Sequence, residues 1–385
     1  MAEAMTVDKW NIRLVESSLS PWKLGESGPK QIAVMMSGGV DSSIAAHLLK
    51  EQGWDVLGVT MNIPVSCKVS PRGCCGADAA LVCCDIGIPH YFIDVAEAFD
   101  ELIIEPFRRA YAEGQTPNPC IDCNTLLKFS LVWDFVEANF GIAYLATGHY
   151  ARIIRDAGEV RLARARDKDK DQSYFLYGIA REKLERFILP LGELTKSEVR
   201  RIASKLNLSV AEKPESMELC FAGEGDYRAA LGEQQAEREG DITDMQGNKI
   251  GTHKGISNYT LGQRRGVGFA GGKPLYVGRI DARTNTIALG ERDEVSSRSI
   301  SADCINVLIP DKLARRGGLA CEQRLFGKIR SYGNPRACRI VEVSRRGVKV
   351  EFDEPQFAPC PGQRLVLYDE QDNVVAGGTI IPPAK

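Results

Sequence analysis

From Gln31 to about residue 150 the chain alternates short apolar runs, often β-branched, with longer stretches whose apolar positions recur at helical spacing. The runs Gln31–Met36, Val56–Met61, His90–Val95 and Tyr144–Thr147 read as strands, and Ser43–Gln52, Ala77–Ile86, Phe99–Glu113 and Asn124–Asn139 read as helices. Alternation at this spacing predicts βαβ units, hence a parallel sheet with flanking helices and right-handed crossovers. Between Arg181 and Asn207 the pattern turns helical and basic, with Lys183, Arg186, Lys196, Arg200, Arg201 and Lys205. Beyond about Asp241 it changes again, to short strands punctuated by Gly and Asn: Lys249–Gly251, Leu275–Arg279, Thr286–Leu289, Leu325–Arg330, Gly347–Phe352 and Gln363–Tyr368. That texture predicts a small β-rich central domain followed by a C-terminal β-barrel. The expected fold is therefore α/β, with domains at 31–232, 233–297 and 298–385 behind an extension, 1–30. We read the extension as a mobile tail, or as a strand or helix packed on the sheet edge, and assign it no function.

A chain of 385 residues exceeds one ordinary core, in keeping with that division. With 44% hydrophobic and 26% charged residues it has the balance of a soluble globular protein. No apolar run is long enough to span a bilayer and the first thirty residues lack the core of a signal peptide, so the cytoplasm is expected. A net charge of −2 excludes indiscriminate nucleic-acid binding and leaves room for a local basic face. Basic clusters occur at Arg161–Lys170, Arg181–Arg201 and Arg264–Arg265. Any one alone is ordinarily a solvated surface.

The first predicted strand ends in Ser37-Gly38-Gly39 and runs straight into a helix. Glycines let backbone N–H groups approach an anion, and a helix start adds partial positive charge. Ser37, Ser42 and Ser43 supply hydroxyls, and Asp41 is a candidate magnesium ligand. The lysine of a Walker loop is missing, so a Walker-type NTPase is excluded. A plain glycine-rich turn is the ordinary alternative. Ser-Gly-Gly-Val-Asp-Ser instead resembles the PP-loop of ATP pyrophosphatases, which implies an adenine nucleotide alpha hydrolase-like domain, ATP cleavage between the α and β phosphates and adenylation of a carbonyl oxygen. The nucleotide would lie beyond the carboxyl ends of the strands, beside the Thr147-Gly148-His149-Tyr150 turn.

Twelve cysteines do not form the dense framework of a small secreted domain. Thr116-Pro117-Asn118-Pro119-Cys120-Ile121-Asp122-Cys123-Asn124 places two cysteines three apart at a predicted helix start, where they share a face and the helix end favours thiolates. Cys220 lies in Glu215-Ser216-Met217-Glu218-Leu219-Cys220-Phe221. A redox pair, a structural zinc and a three-thiolate iron–sulfur cluster with one open iron are the competing readings; the zinc lacks a fourth ligand. Cys74, Cys75, Cys83 and Cys84 offer a fourth ligand or a separate site, but fit small buried core thiols better. Cys67, Cys304, Cys321, Cys338 and Cys360 read as core as well.

Four segments, Ser37–Ser42, Thr116–Asn124, Asp171-Gln172-Ser173-Tyr174-Phe175-Leu176 and Glu215–Phe221, occur in the order seen in tRNA-specific 2-thiouridylases. Leu261-Gly262-Gln263-Arg264-Arg265-Gly266-Val267-Gly268 adds a fifth. From Gln31 onward the chain resembles that family. The resemblance implies thiolation of wobble uridine 34 in the tRNAs for Lys, Glu and Gln, with sulfur from a cysteine desulfurase or a sulfur-relay protein. Met35, Met36, Ser37, Gly38, Gly39, Val40, Asp41, Ser42, Met61 and Gly148 would hold ATP with Mg2+. Cys123 and Cys220 would be catalytic, passing sulfur through a persulfide and leaving a disulfide. Asn118, Pro119 and Cys120 would face the flipped base. Lys170, Asp171, Gln172, Arg330 and Ser331 would touch tRNA. Many relatives carry Asp where this chain has Cys120, and the extra thiol makes Cys120, Cys123 and Cys220 resemble a tri-cysteine [4Fe–4S] site. The two mechanisms share the same three cysteines. Thiolation at another tRNA position, or a binding or sulfur-carrier protein without catalysis, are the alternatives.

Overall fold

The computed structural model describes residues 9–16, 30–63, 75–214, 219–221, 227–231, 238–268, 272–313, 324–344 and 346–383. Cys67, Cys74, Cys321 and Glu215–Glu218 lie outside them. The chain forms two compact units, residues 1–103 with 120–224 and residues 104–119 with 225–385.

The first unit contains β1 (Arg13–Glu16), β2 (Gln31–Met35), β3 (Asp55–Asn62), β4 (His90–Asp94), β5 (Tyr144–Thr147), β6 (Ala151–Asp156), β7 (Glu159–Arg164) and β8 (Phe187–Ile188). Six of them form one sheet in the order β1-β4-β3-β2-β5-β8. All its pairings are parallel except β1, which runs antiparallel along β4. Part of the N-terminal extension is thus an edge strand. The central strand β2 is buried along its whole length, as a strand covered on both faces must be. Ile32 and Val34 pack there with Ile44 and Leu49 of the Val40–Glu51 helix and with Val199 of the Lys196–Lys205 helix.

Two expectations need correction, and one element has no counterpart among them. The helix expected at Phe99–Glu113 begins at Ala96 and is three pieces, with a wide π segment, Asp100–Ile104, ahead of Glu105–Ala112. Pro106 lacks an N–H and its ring crowds the preceding turn, which accounts for the widening. The basic helical stretch after Arg181 is instead a short 3-10 turn, Arg181–Arg186, then β8, then the Lys196–Lys205 helix. Pro190 interrupts it. The hairpin β6–β7 was not expected. Its turn residues Ala157 and Gly158 both have positive φ, 49° and 80°, a weaker sequence signal than Asn-Gly.

The second unit holds β9 (Gly240–Asp244), β10 (Lys249–His253), β11 (Tyr276–Asp281) and β12 (Thr286–Gly290), joined as β10-β9-β12-β11. It also holds β13 (Ser296–Val307), β14 (Leu325–Lys328), β15 (Arg336–Val343), β16 (Gly347–Phe357), β17 (Arg364–Tyr368) and β18 (Val374–Ile380). These six close into a barrel in the order β13-β16-β15-β14-β17-β18, lined by Ile300, Val350, Phe352, Leu365 and Leu367. A small sheet followed by a barrel is the arrangement the turn-rich texture predicts.

Candidate active site

The turn after β2 is built to leave backbone N–H groups available. Gly38 takes φ +68°, and Gly39 begins the helix in an extended conformation with no side chain capping it. The orphan N–H groups of a first turn are an anion site. Ser42 fixes the loop: its Oγ accepts from the Ser37 N–H at 3.2 Å and donates to the Gly39 carbonyl at 3.1 Å. Ser43 donates to the same carbonyl at 2.8 Å. Ser37 itself is exposed, whereas Met35, Met36 and Val40 are buried, so these three shape the strand and helix from behind. Met61 is half-buried near the carboxyl end of β3.

Asp41 faces two partners that sequence reasoning did not assign. Lys196 donates to its two carboxylate oxygens at 2.8 and 2.7 Å, and the Tyr150 hydroxyl donates at 2.8 Å. The Lys196 ammonium also lies 5.6 Å from the Tyr150 ring centroid. Lys196 opens the Lys196–Lys205 helix, which the capping box Thr195–Glu198 anchors. The cation that a Walker loop carries within itself arrives here from 155 residues downstream. Gly148 is needed for packing: a Cβ there would sit 2.6 Å from the Asp41 carbonyl carbon and the Ser42 nitrogen. On the other side, Lys213 donates to the Gly38 carbonyl at 2.9 Å and pairs with Asp78.

Among the thiols, Cys123 is buried and Cys120 exposed. The helix beyond them is a wide π segment, Cys123–Val132. The expectation that a helix start would favour thiolates is not met. Burial pushes both thiols above the ordinary cysteine range, crowding doing so even at Cys120, while Lys128 pulls each partly back. Lys128 donates to Asn124 at 2.9 Å, and Asn124 donates to the Phe175 carbonyl at 3.1 Å. His149 is held neutral, its pKa lowered to about 3 by burial and then by Lys128. Cys220 is exposed. Among the described residues no three His, Cys, Asp or Glu gather as a metal-holding group. Cys120, Cys123 and Cys220 therefore form no tri-cysteine ligand set here, and we derive no step through a cluster. Of the remaining cysteines Cys83, Cys338 and Cys360 are buried, as expected of core thiols, but Cys84 and Cys304 are exposed.

Residues 30–224 match the family described as "tRNA methyl transferase HUP domain", 228–291 its PRC-barrel domain, and 311–381 an aminomethyltransferase beta-barrel domain. A "tRNA-specific 2-thiouridylase MnmA" of Carboxydothermus hydrogenoformans is 41% identical over 92% of this chain and 98% of that protein. Those of Synechococcus sp. and Heliobacterium modesticaldum are 41% and 43% identical over 96% and 91% of this chain, and 98% and 92% of theirs. The chain belongs to the tRNA-specific 2-thiouridylase family.

Within this thiouridylase the Asp171–Leu176 segment is a brace. The Asp171 side chain is 1% exposed; it pairs with Arg164 at 3.0 Å and accepts from the N–H groups of Ala165 and Ser173 and from the Ser173 hydroxyl. Gln172 accepts from the Tyr150 N–H at 2.9 Å, and Phe175 receives Asn124. One segment therefore holds both the residue facing Asp41 and the helix of Cys123. The expected contact of Asp171 with tRNA is not available to its carboxylate, which is consumed internally; Lys170 is half-buried. In the second unit Arg330 donates to the Ala358 carbonyl at 2.6 Å, while Ser331 is exposed. Arg264 and Arg265 are exposed on the turn after Gly262.

Proposed function

We propose that this protein makes 2-thiouridine in tRNA, acting on uridine 34 of the tRNAs for Lys, Glu and Gln. ATP adenylates the C2 oxygen of the base, a sulfur nucleophile attacks C2, and AMP departs. Identity of 41% across almost the whole chain to named tRNA 2-thiouridylases carries the reading. The uncapped helix behind Ser37–Gly39, with Asp41 and Lys196 beside it, supports the nucleotide assignment. That site suits MgATP: the N–H groups of Gly38, Gly39 and Val40 would meet phosphate, Asp41 would take the metal, and Lys196 would be released to the phosphates. Magnesium would supply charge neutralisation. Met35, Met36, Ser37, Ser42, Met61 and Gly148 would frame the nucleotide.

The reading for sulfur is a thiol relay. Cys220 would carry the incoming sulfur as a persulfide. Cys123 would attack its inner sulfur, release hydrosulfide toward C2 and leave a Cys123–Cys220 disulfide for an external reductant. Cys220, being exposed, suits loading by a desulfurase or sulfur-relay protein, and Cys123, being buried, suits attack away from water. Asn118, Pro119 and Cys120 would line the flipped base, and Lys170, Gln172, Arg330 and Ser331 would contact RNA. The test is to combine the protein with ATP, Mg2+, a sulfur donor and unmodified tRNA. Pyrophosphate release that requires tRNA, with 2-thiouridine at position 34, is expected; pyrophosphate without thiolated nucleoside, or thiolation elsewhere in the tRNA, overturns the assignment.

A further inference from the structure

The Thr116-Pro117-Asn118-Pro119 strip lies in the second unit; Thr116 to Asn118 belong to no helix or strand, and Pro119 opens the short helix Pro119–Asp122. Its two prolines have no N–H, so the strip has no regular ladder of its own, and its carbonyls must find donors elsewhere. They find them on the barrel. The side-chain nitrogen of Gln363 donates to the Thr116 carbonyl at 2.8 Å and to the Pro117 carbonyl at 3.2 Å. The Thr116 N–H completes the contact on the Pro361 carbonyl at 3.0 Å. A primary amide is one of the few side chains with two N–H groups on one atom, and two facing carbonyls leave no doubt that it is the nitrogen that meets them.

The turn carrying Gln363 is itself stiff. The Gly362 N–H donates to the Ile380 carbonyl, the Ile380 N–H donates to the Gln363 carbonyl, and buried Arg364 donates to the Gly362 carbonyl. Gly362 has φ +92°, and a Cβ there would lie 3.0 Å from the Thr116 oxygen, so the strip rests directly on backbone. Beside it the buried Cys360 thiol donates to the Leu261 carbonyl and shares hydrogen bonds with the side chains of Thr116 and Arg330. Leu261 opens the turn that bears Arg264 and Arg265.

We infer that Gln363 is a positioning residue for the thiolation chemistry. It pins the strip three residues ahead of Cys120, so the closed barrel, and not local structure, fixes where Asn118 and Pro119 stand. The Cys360 contacts make that clamp continuous with the Arg264–Arg265 turn and Arg330, the candidate RNA-contacting elements of the same unit. This inference rests on the proposed role of the strip in holding the target base.

The experiment uses the full-length enzyme with saturating ATP and a sulfur donor, titrating unmodified tRNA. Gln363→Leu keeps the bulk and removes both donors. The kcat for 2-thiouridine formation falls about tenfold or more, the loss expected of a misplaced reactive group, while KM for tRNA stays within about twofold. The thermal midpoint of the variant reports whether the barrel is intact; should Leu prevent folding, Gln363→Met carries the same comparison with a more flexible side chain. An unchanged kcat in a folded variant overturns the proposal. So does a loss carried entirely by KM, which would make the contact part of RNA docking. Failure of the functional reading is separate, because it appears as an inactive wild-type enzyme.

Discussion

The ammonium of Lys196 sits against both oxygens of the Asp41 carboxylate, at 2.8 and 2.7 Å, although the two residues are 155 positions apart. The pair places a cation and a carboxylate at the start of the helix that follows Gly39. Each neutralises the other, so neither charge is stranded in a partly buried site.

Replacing either partner separates nucleotide chemistry from RNA binding. Asp41→Ala and Lys196→Met each lower tRNA-dependent pyrophosphate release by about 100-fold or more, as loss of a charge-stabilising group at a reacting phosphate does. The dissociation constant for tRNA stays within about twofold, since neither group is assigned to RNA. Normal pyrophosphate release in Asp41→Ala would remove Asp41 from the site.

Gly148→Ala tests the close approach of the β5 exit to the helix start. The new methyl would overlap backbone atoms of Asp41 and Ser42, not a movable side chain. We expect about 1–3 kcal/mol of destabilisation from overpacking, and weaker ATP binding because the loop must shift to accommodate it. A variant with wild-type urea midpoint and wild-type KM for ATP would show that the loop yields freely.

The thiol of Cys123 is raised by burial and lowered in part by Lys128. The neutral form therefore persists to higher pH than in a free cysteine. Alkylation of Cys123 is slow at neutral pH, and the midpoint of its rise with pH lies above the ordinary cysteine range. Lys128→Met moves that climb further up the pH scale. Mass-spectrometric labelling rates against pH check both statements; a profile centred at or below the ordinary value refutes the burial argument.

Arg264→Glu and Arg265→Glu act on exposed side chains of the turn after Gly262. If they contact phosphate, each weakens tRNA binding uniformly across substrates and reduces the slope of log affinity against log salt by about one. An unchanged salt slope returns the pair to the solvated surface.

The parallel sheet, the loop at Ser37–Gly39 and the barrel were legible because their signals are local: continuous apolar runs, glycine at a strand–helix junction, and turn residues between short strands. Strand β13 was not legible. It opens on Ser-Ser-Arg-Ser with no apolar residue and alternates only over Ile300, Ala302 and Cys304, and register shifts near Ser297 and near Asp303 break its pairing, so neighbouring strands define it. The helix interrupted at Pro106 and the stretch interrupted at Pro190 carried helical periodicity that proline overrode.

Sequence alone marked the segments around which the site is proposed, because the glycine-rich loop, the two-cysteine strip and the Asp-Gln-Ser-Tyr-Phe-Leu segment are contiguous and chemically distinctive. Tertiary structure alone decided which groups face one another: Lys196 on Asp41, Tyr150 held by Gln172, and Gln363 on Thr116 and Pro117. Those partners are scattered through the chain, and a lone lysine, tyrosine or glutamine has no local signature. Only the packing of the sheet and the closure of the barrel bring each to its partner and fix the charge, burial and hydrogen bonds on which its role depends.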